Sequence, residues 1–107
     1  MAELLVGLIT TPPKDAERIA RTLVEERLAA CVNIICTVKS YYWWKDEVQV
    51  DEECLLIVKT TRKVADRLIN RVKEVHPYTV PEVVLLPAER VLEEYLEWAV
   101  RETSDSR

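Results

Sequence analysis

Apolar and polar residues along the chain follow two periods, and together they predict seven elements in a definite order. Short apolar and β-branched runs predict four strands, at residues 4–10, 31–44, 48–60 and 83–86. Apolar residues at helical spacing predict three helices, at residues 13–28, 62–75 and 91–102. The polar turn at residues 44–47 joins the second and third strands into one long hairpin.

This order is β-α-β-β-α-β with an added C-terminal helix. It predicts an α+β, ferredoxin-like fold, in which an antiparallel sheet carries the two main helices on one face. The hairpin is the long central feature of that sheet. The 107 residues are enough for one domain with one hydrophobic core, so we expect a single domain over residues 1–107.

The predicted strands do not alternate as an exposed sheet face requires. Leu55-Leu56-Ile57-Val58, Ile34-Ile35 and Val83-Val84 place apolar side chains on both faces. A second apolar face needs a cover, and we expect another subunit to supply it, which predicts a homo-oligomer. A hairpin longer than the average strand of ~5–6 residues could also pair across the subunit boundary. The alternative is that the terminal helix covers this face alone.

Four consecutive aromatic residues, Tyr41, Tyr42, Trp43 and Trp44, lie near the hairpin tip. Aromatic side chains with polar tips are typical interface anchors, and they can also bind a ligand. Because the sheet already predicts an oligomer, we interpret this cluster as part of the subunit interface.

Charge and composition exclude several classes of protein. The net charge of −4 argues against a nucleic-acid-binding protein, which needs a clustered basic face. No secretion signal and no apolar run of ~20 residues is visible, so we expect no membrane partner and a cytoplasmic location. The single glycine, Gly7, excludes a P-loop or a dinucleotide-binding turn, since both need several glycines.

Three cysteines show no disulfide-scaffold spacing, and we expect reduced thiols. Cys31 and Cys36 are five residues apart on one strand, so they point to opposite faces. Cys36 and Cys54 could lie near each other across the hairpin, depending on its register. We interpret all three as small apolar side chains that fill space.

The segment His76-Pro77-Tyr78-Thr79-Val80-Pro81-Glu82 contains the only histidine and joins a predicted helix to a predicted strand. An imidazole there could be a metal ligand or a general base, with Tyr78 and Glu82 as co-ligands. Alternatively, His76 only ends the helix. A basic side chain at that end interacts favourably with the helix dipole, and the next proline stops the helix. No closely spaced His-x-x-x-His or Cys-x-x-Cys set is present, so spacing alone favours the structural interpretation.

Five blocks in this order resemble the CutA divalent-cation-tolerance family. They are residues 26–34, 41–43, 56–60, 76–82 and 95–98, which read ERLAACVNI, YYW, LIVKT, HPYTVPE and YLEW. The resemblance implies a ferredoxin-like fold, a homotrimer similar to PII-type signal proteins, and a role in tolerance of copper and other divalent cations. It implies no catalytic activity and no obligatory cofactor.

The resemblance also implies which residue binds a metal. His76 matches the histidine of the family's His-Pro-Tyr block. Some copper-binding members carry two further ligands at positions that correspond here to Val75 and Ile9, neither of which can bind a metal ion. Copper(II) or another divalent cation would therefore be held by His76 with Tyr78, Glu82 or groups of a neighbouring subunit.

Three functions follow, in order of preference. The first is a cytoplasmic, trimeric, metal-binding tolerance protein that is not an enzyme. The second is a trimeric signalling or scaffold protein that binds a small ligand at clefts between subunits. The third is an enzyme that uses His76.

Overall fold

A computed structural model describes residues 3–104, and within them four strands form one antiparallel sheet that packs with three α-helices. The strands are β1 (Leu4–Thr11), β2 (Cys31–Trp44), β3 (Glu47–Thr61) and β4 (Val84–Pro87). The helices are α1 (Ala16–Glu25), α2 (Ala65–Val75) and α3 (Glu93–Glu102). The sheet order β2-β3-β1-β4 confirms the predicted ferredoxin-like fold with its long hairpin and its added C-terminal helix.

Element ends differ from the predicted ends where the backbone makes local turns. Single turns of 3₁₀ helix, Pro13–Asp15 and Arg62–Val64, precede α1 and α2. Helix α1 ends at Glu25 rather than at residue 28, because Arg27 takes a left-handed φ of 63° that reverses the chain. Pro87 is the last residue of β4, paired with Leu5, and does not stop the strand before it.

The β2–β3 hairpin is the longest feature of the sheet. Lys45 and Asp46 form its two-residue turn with φ of 51° and 65°, the conformation that tight hairpins favour. The register shifts between Cys36 and Val38, so Thr37 is an extra residue in a β-bulge. Beyond this bulge the side chains of β2 change face, and Val38 leaves the face that Cys36 occupies.

Our prediction of three reduced cysteines is wrong for two of them. Cys36 and Cys54 lie directly opposite each other in the hairpin register and form a disulfide, with their Cα atoms 4.4 Å apart. Such a pair is readily bridged when two strands bring the Cβ atoms together. Cys31 is a free cysteine and is partly buried. The sequence left the register open, and the register decides the pairing.

The core lies between α1, α2 and the face of the sheet that these helices cover. Alternate residues of β3 are fully buried there, and Ile9 of β1 lies beside them, since it pairs with Leu56. Leu28 and Ala29, which follow α1, complete the packing. The cluster comprises Ile9, Ala16, Ile19, Leu23, Leu28, Ala29, Cys54, Leu56, Val58, Val64, Leu68 and Val72.

The other face of the sheet is covered at one end only. Leu4 and Thr61 are buried there, and the hydroxyls of Thr61 and Thr103 are hydrogen-bonded at 2.8 Å, which ties the end of α3 to β3. The rest of this face presents exposed or half-buried apolar side chains, which we call the open-face patch: Val6, Leu8, Ile35, Leu55, Ile57, Val84 and Leu86. Helix α3 therefore does not cover this face alone, contrary to the alternative given above.

No helix within residues 3–104 is long and apolar enough to cross a membrane.

The contrast between Leu68 and Ile69 on α2 tests the position of the core. Leu68 is fully buried, so Leu68→Ala should lower the free energy of unfolding by about 2–5 kcal/mol. Ile69 is the next residue and is 37% exposed, so Ile69→Ala should cost less than about 1 kcal/mol. Chemical denaturation of both variants at one chain concentration measures the difference, and equal losses would contradict this placement.

Candidate functional site

The segment His76–Glu82 leaves the end of α2 and passes the end of the hairpin before β4 begins. The His76 N–H closes the last helical turn by donating to the Val72 carbonyl at 2.9 Å. Its own backbone is already extended, with φ of −81° and ψ of 139°, as the residue before a proline prefers. The backbone of His76 thus agrees with the interpretation that this residue ends the helix.

Both ring nitrogens of His76 are used within the chain. Nε2 lies 2.8 Å from the Thr10 carbonyl oxygen, and Nδ1 accepts a hydrogen bond from the Tyr78 N–H at 3.1 Å. Because a carbonyl only accepts, Nε2 is the donor in the first bond, while Nδ1 is the acceptor in the second. The side chain is 7% exposed, so the ring joins this segment to β1. A metal ion would have to replace one of these bonds, and His76 as a ligand stays a prediction.

The contacts of His76 also fix the position of Tyr78. Its ring packs against the His76 ring with a centroid distance of 4.7 Å, and its hydroxyl donates to Glu53 Oε2 at 2.7 Å. Burial raises the pKa of Tyr78 far above the usual tyrosine value, and the hydrogen bond and negative charge of Glu53 act in the same direction. The phenol is therefore held neutral as a hydrogen-bond donor.

A cavity of about 530 Å³ lies between this segment and the hairpin. Tyr78 and Glu82 line one side of it, and the hairpin lines the other. The lining residues are Thr10, Ser40, Tyr42, Trp43, Trp44, Glu53, Pro77, Tyr78, Thr79, Val80 and Glu82. The structure thus brings Tyr78 and Glu82 to one cavity, whereas the His76 ring is held behind its wall.

The four aromatic residues of β2 divide between the two faces of the hairpin. Tyr41 and Trp43 are opposite Val50 and Val48, and all four of these side chains are exposed. Tyr42, Trp43 and Trp44 line the cavity, and the Tyr42 hydroxyl donates to Asp51. This bond is the main cause that raises the pKa of Tyr42. Their predicted role at a subunit interface is untested by a single chain, but three of them are now placed at a cavity.

The positions that resemble metal-ligand positions are structural in this chain. Ile9 is fully buried in the core, and Val75 packs against the same core. Within residues 3–104, no three side chains of His, Cys, Asp or Glu are grouped so that they could hold a metal ion. One chain therefore has no assembled metal site in its described part.

Glu53 is the site residue that sequence reasoning missed. It is only 5% exposed, although it lies in the acidic run Asp51-Glu52-Glu53, whose charges are typical of an exposed strand. One signal was available, since Glu53 directly precedes Cys54 and the apolar run of β3. The bulge at Thr37 then decides which hairpin side chains share its face, and nothing in the sequence announces that bulge.

Tyr78 should titrate later than an ordinary tyrosine. An absorbance titration of the native wild type and of Tyr78→Phe should give matching curves through the usual range near pH ~10 and separate only above it. In denaturant, all four tyrosines of the wild type should titrate together. The neutral phenol stabilises the fold fully below the unfolded-state pKa, and this stabilisation is lost as pH rises toward the folded-state pKa. Curves that separate already near pH ~10 would contradict the buried, donating phenol.

Comparison with known proteins agrees with this geometry. Residues 5–102 match the family model described as CutA1 divalent ion tolerance protein. The divalent-cation tolerance protein CutA of Thermus thermophilus is 54% identical over 94 residues, which cover 87% of this chain and 91% of that protein. Protein CutA 1, chloroplastic, of Oryza sativa is 45% identical over 103 residues, which cover 95% of this chain but 58% of the rice protein. Protein CutA of Homo sapiens is 44% identical over 101 residues, 94% of this chain and 56% of the human protein.

Solved structures give the same result. The Cut A1 structure from Thermus thermophilus superposes with a TM-score of 0.92 at 51% identity, over 94% of this chain and 99% of that one. The CutA1 structure from Oryza sativa gives a TM-score of 0.93 at 42% identity, over 98% of this chain and 97% of that one. Family model, sequence and backbone therefore agree, and the chain belongs to the CutA1 divalent ion tolerance family.

Proposed function

We propose that this chain acts in divalent-cation tolerance as a homotrimer that binds copper or another divalent cation and catalyses no reaction. The observation that carries the metal role is its relation to the Thermus thermophilus divalent-cation tolerance protein, at 54% identity over 91% of that protein. No three metal-binding side chains are grouped within residues 3–104, so we place the cation between subunits. His76, Tyr78 and Glu82 remain the ligands that we propose from this chain.

The open-face patch supports the oligomer. Ile35, Val84 and Leu86 are 46%, 43% and 48% exposed, and they lie on one face with the half-buried Leu55 and Ile57. A contiguous apolar surface of this kind is typical of an interface. Beyond the sheet, the Tyr41–Val50 and Trp43–Val48 pairs present a second apolar surface on the hairpin arm. Another copy of the chain is the partner that we propose for both surfaces.

A specific observation favours a second candidate function, the binding of a small ligand by a signalling or scaffold trimer. The cavity beside Tyr78 has a volume of about 530 Å³. Small-molecule sites commonly enclose about 300–1,000 Å³ and combine apolar walls with a few polar groups. Tyr42, Trp44 and Glu53 provide that combination here.

The cytoplasmic location stays a prediction. The Cys36–Cys54 disulfide is more typical of an oxidising compartment. The rice relative is named a chloroplastic protein, and a solved CutA from Archaeoglobus fulgidus is described as periplasmic.

Sedimentation equilibrium tests the trimer. The wild type should sediment at three times the 12.4 kDa of one chain. Ile35→Glu should dissociate the trimer, since it places a carboxylate in the open-face patch without entering the core. Val24→Glu is the matched control, because Val24 is 41% exposed on α1, outside that patch. A monomeric wild type, or a trimer that survives Ile35→Glu unchanged, would refute this interface.

Copper titration tests the metal ligands. Calorimetry with copper(II) should give saturable binding to the wild type, weakened at least about tenfold in His76→Ala and Glu82→Gln, since lost ligands cost comparable factors. Glu89→Gln is the control, because Glu89 is exposed and lies outside the cavity. Since His76 supports the fold, Glu82→Gln keeps the test valid if His76→Ala does not fold. Unchanged stoichiometric binding by folded variants would remove these residues as ligands.

A further inference from the structure

Glu53 is a buried carboxylate without a cation. Its side chain is 5% exposed, and its only hydrogen bond within the described part of the chain comes from the neutral Tyr78 hydroxyl. None of the ion pairs formed among residues 3–104 includes it. Buried charges in proteins are normally paired or bound to a cation, because removal from water without compensation is costly. Glu53 therefore presents an acceptor with which a positive group from outside the described chain can pair.

The cavity that Glu53 lines is suited to cations and unsuited to anions. Its lining includes two carboxylates, Glu53 and Glu82, and contains no lysine, arginine or histidine side chain. The Tyr42 and Tyr78 hydroxyls already donate to Asp51 and Glu53, so neither donor is left for an anionic ligand. Phosphates, nucleotides and carboxylic acids would meet two carboxylates and no cationic side chain in this lining.

Aromatic side chains form the remaining wall. Tyr42 and Trp44 line the same cavity and lie on the hairpin face that Glu53 occupies. Indole and phenol faces attract cations through the ring quadrupole, and they bury apolar carbon at the same time. An occupant that carries both a positive group and apolar carbon would use the carboxylate and the rings together.

The size of the cavity and its donor set distinguish an organic cation from a metal ion. Two carboxylates in about 530 Å³ do not make a coordination shell, and no three metal-binding side chains are grouped in the described residues. Glu53 has one carboxylate oxygen that accepts no hydrogen bond from the described residues. A primary ammonium can donate to that oxygen, whereas a quaternary ammonium has no N–H to give.

We propose that the Glu53 cavity binds a small primary ammonium compound, with the ammonium on Glu53 and its apolar part against Tyr42 and Trp44. This proposal rests on the second candidate function above and names its ligand class. The cavity includes Tyr78 and Glu82, which are also proposed as copper ligands, so the experiments below distinguish the two occupants. Within a trimer, the neighbouring subunit would close the open side of the cavity. Binding of the ligand would then be sensed at the boundary between the two subunits.

Calorimetry with three probes of matched size tests the proposal on the trimeric wild type. Benzylamine, which is protonated at neutral pH, should bind saturably. Benzyl alcohol and benzoate should bind at least about tenfold more weakly, because they lack the charge or reverse it. Equal binding of benzylamine and benzyl alcohol would reduce the cavity to an apolar pocket and overturn the proposal.

Two variants of adjacent residues give the matched control. Glu53→Gln keeps an acceptor for the Tyr78 hydroxyl but removes the charge, and it should weaken benzylamine binding at least about tenfold. Glu52→Gln removes one charge from the exposed opposite face of β3 and should leave the affinity unchanged. Circular dichroism confirms that both variants fold. Equal affinity in both variants would overturn the assignment of Glu53.

Copper(II) titration of the same variants separates the two proposals. Copper binding that is lost in Glu53→Gln, with no benzylamine binding to the wild type, would make this a metal site and overturn the organic cation. No benzylamine binding to the trimer, together with binding to the dissociated Ile35→Glu variant, would mean that a basic group of the neighbouring copy occupies Glu53. That outcome would also overturn the proposal. The trimer and copper binding are tested separately, by the sedimentation and calorimetry experiments described above.

Discussion

Burial of alternate side chains of β3 against α1 and α2 is the interaction on which the rest of the structure depends. Leu56 and Val58 are fully buried, and each such side chain contributes about 1.5–3 kcal/mol relative to exposure. Because β3 pairs with both β1 and β2, its position fixes the register of its two neighbours. The same strand then delivers Glu53, one residue before the core begins at Cys54. Strand β3 therefore contributes side chains to both the core and the candidate site, and a shift of its register would displace both.

A line of hydrogen bonds holds the site from the other side. The Thr10 carbonyl accepts from His76, His76 accepts from the Tyr78 N–H, and the Tyr78 hydroxyl donates to Glu53. Each group satisfies a hydrogen-bonding atom of the next, so the arrangement stays ordered although it lies at the end of the sheet. His76 acts within this line as a support, and the groups that face the cavity are Tyr78, Glu53 and Glu82.

The fold could be predicted because its signals are local and repeated. Helical spacing of apolar residues placed α1 and α2, and the unbroken run Leu55-Leu56-Ile57-Val58 placed a strand with two apolar faces. Leu55 and Ile57 of that run lie in the open-face patch. The disulfide and the location of Glu53 could not be predicted, since both depend on which residues of β2 and β3 lie opposite one another. A two-residue turn without glycine and a bulge at Thr37 set that register, and neither has a strong signal in the sequence.

Gly7 links the packing of the two strands that flank β1. A Cβ atom at this position would lie 2.8 Å from Leu85 Cδ2 and 3.3 Å from Val58 Cβ, so even one methyl group would require a neighbour to shift. The Leu85 contact is the end of a flexible side chain, which can turn aside, whereas Val58 Cβ is fixed to the backbone of β3. Both residues pack in or against the core. The missing side chain of one residue in β1 thus leaves room in which side chains of the strands on either side approach each other.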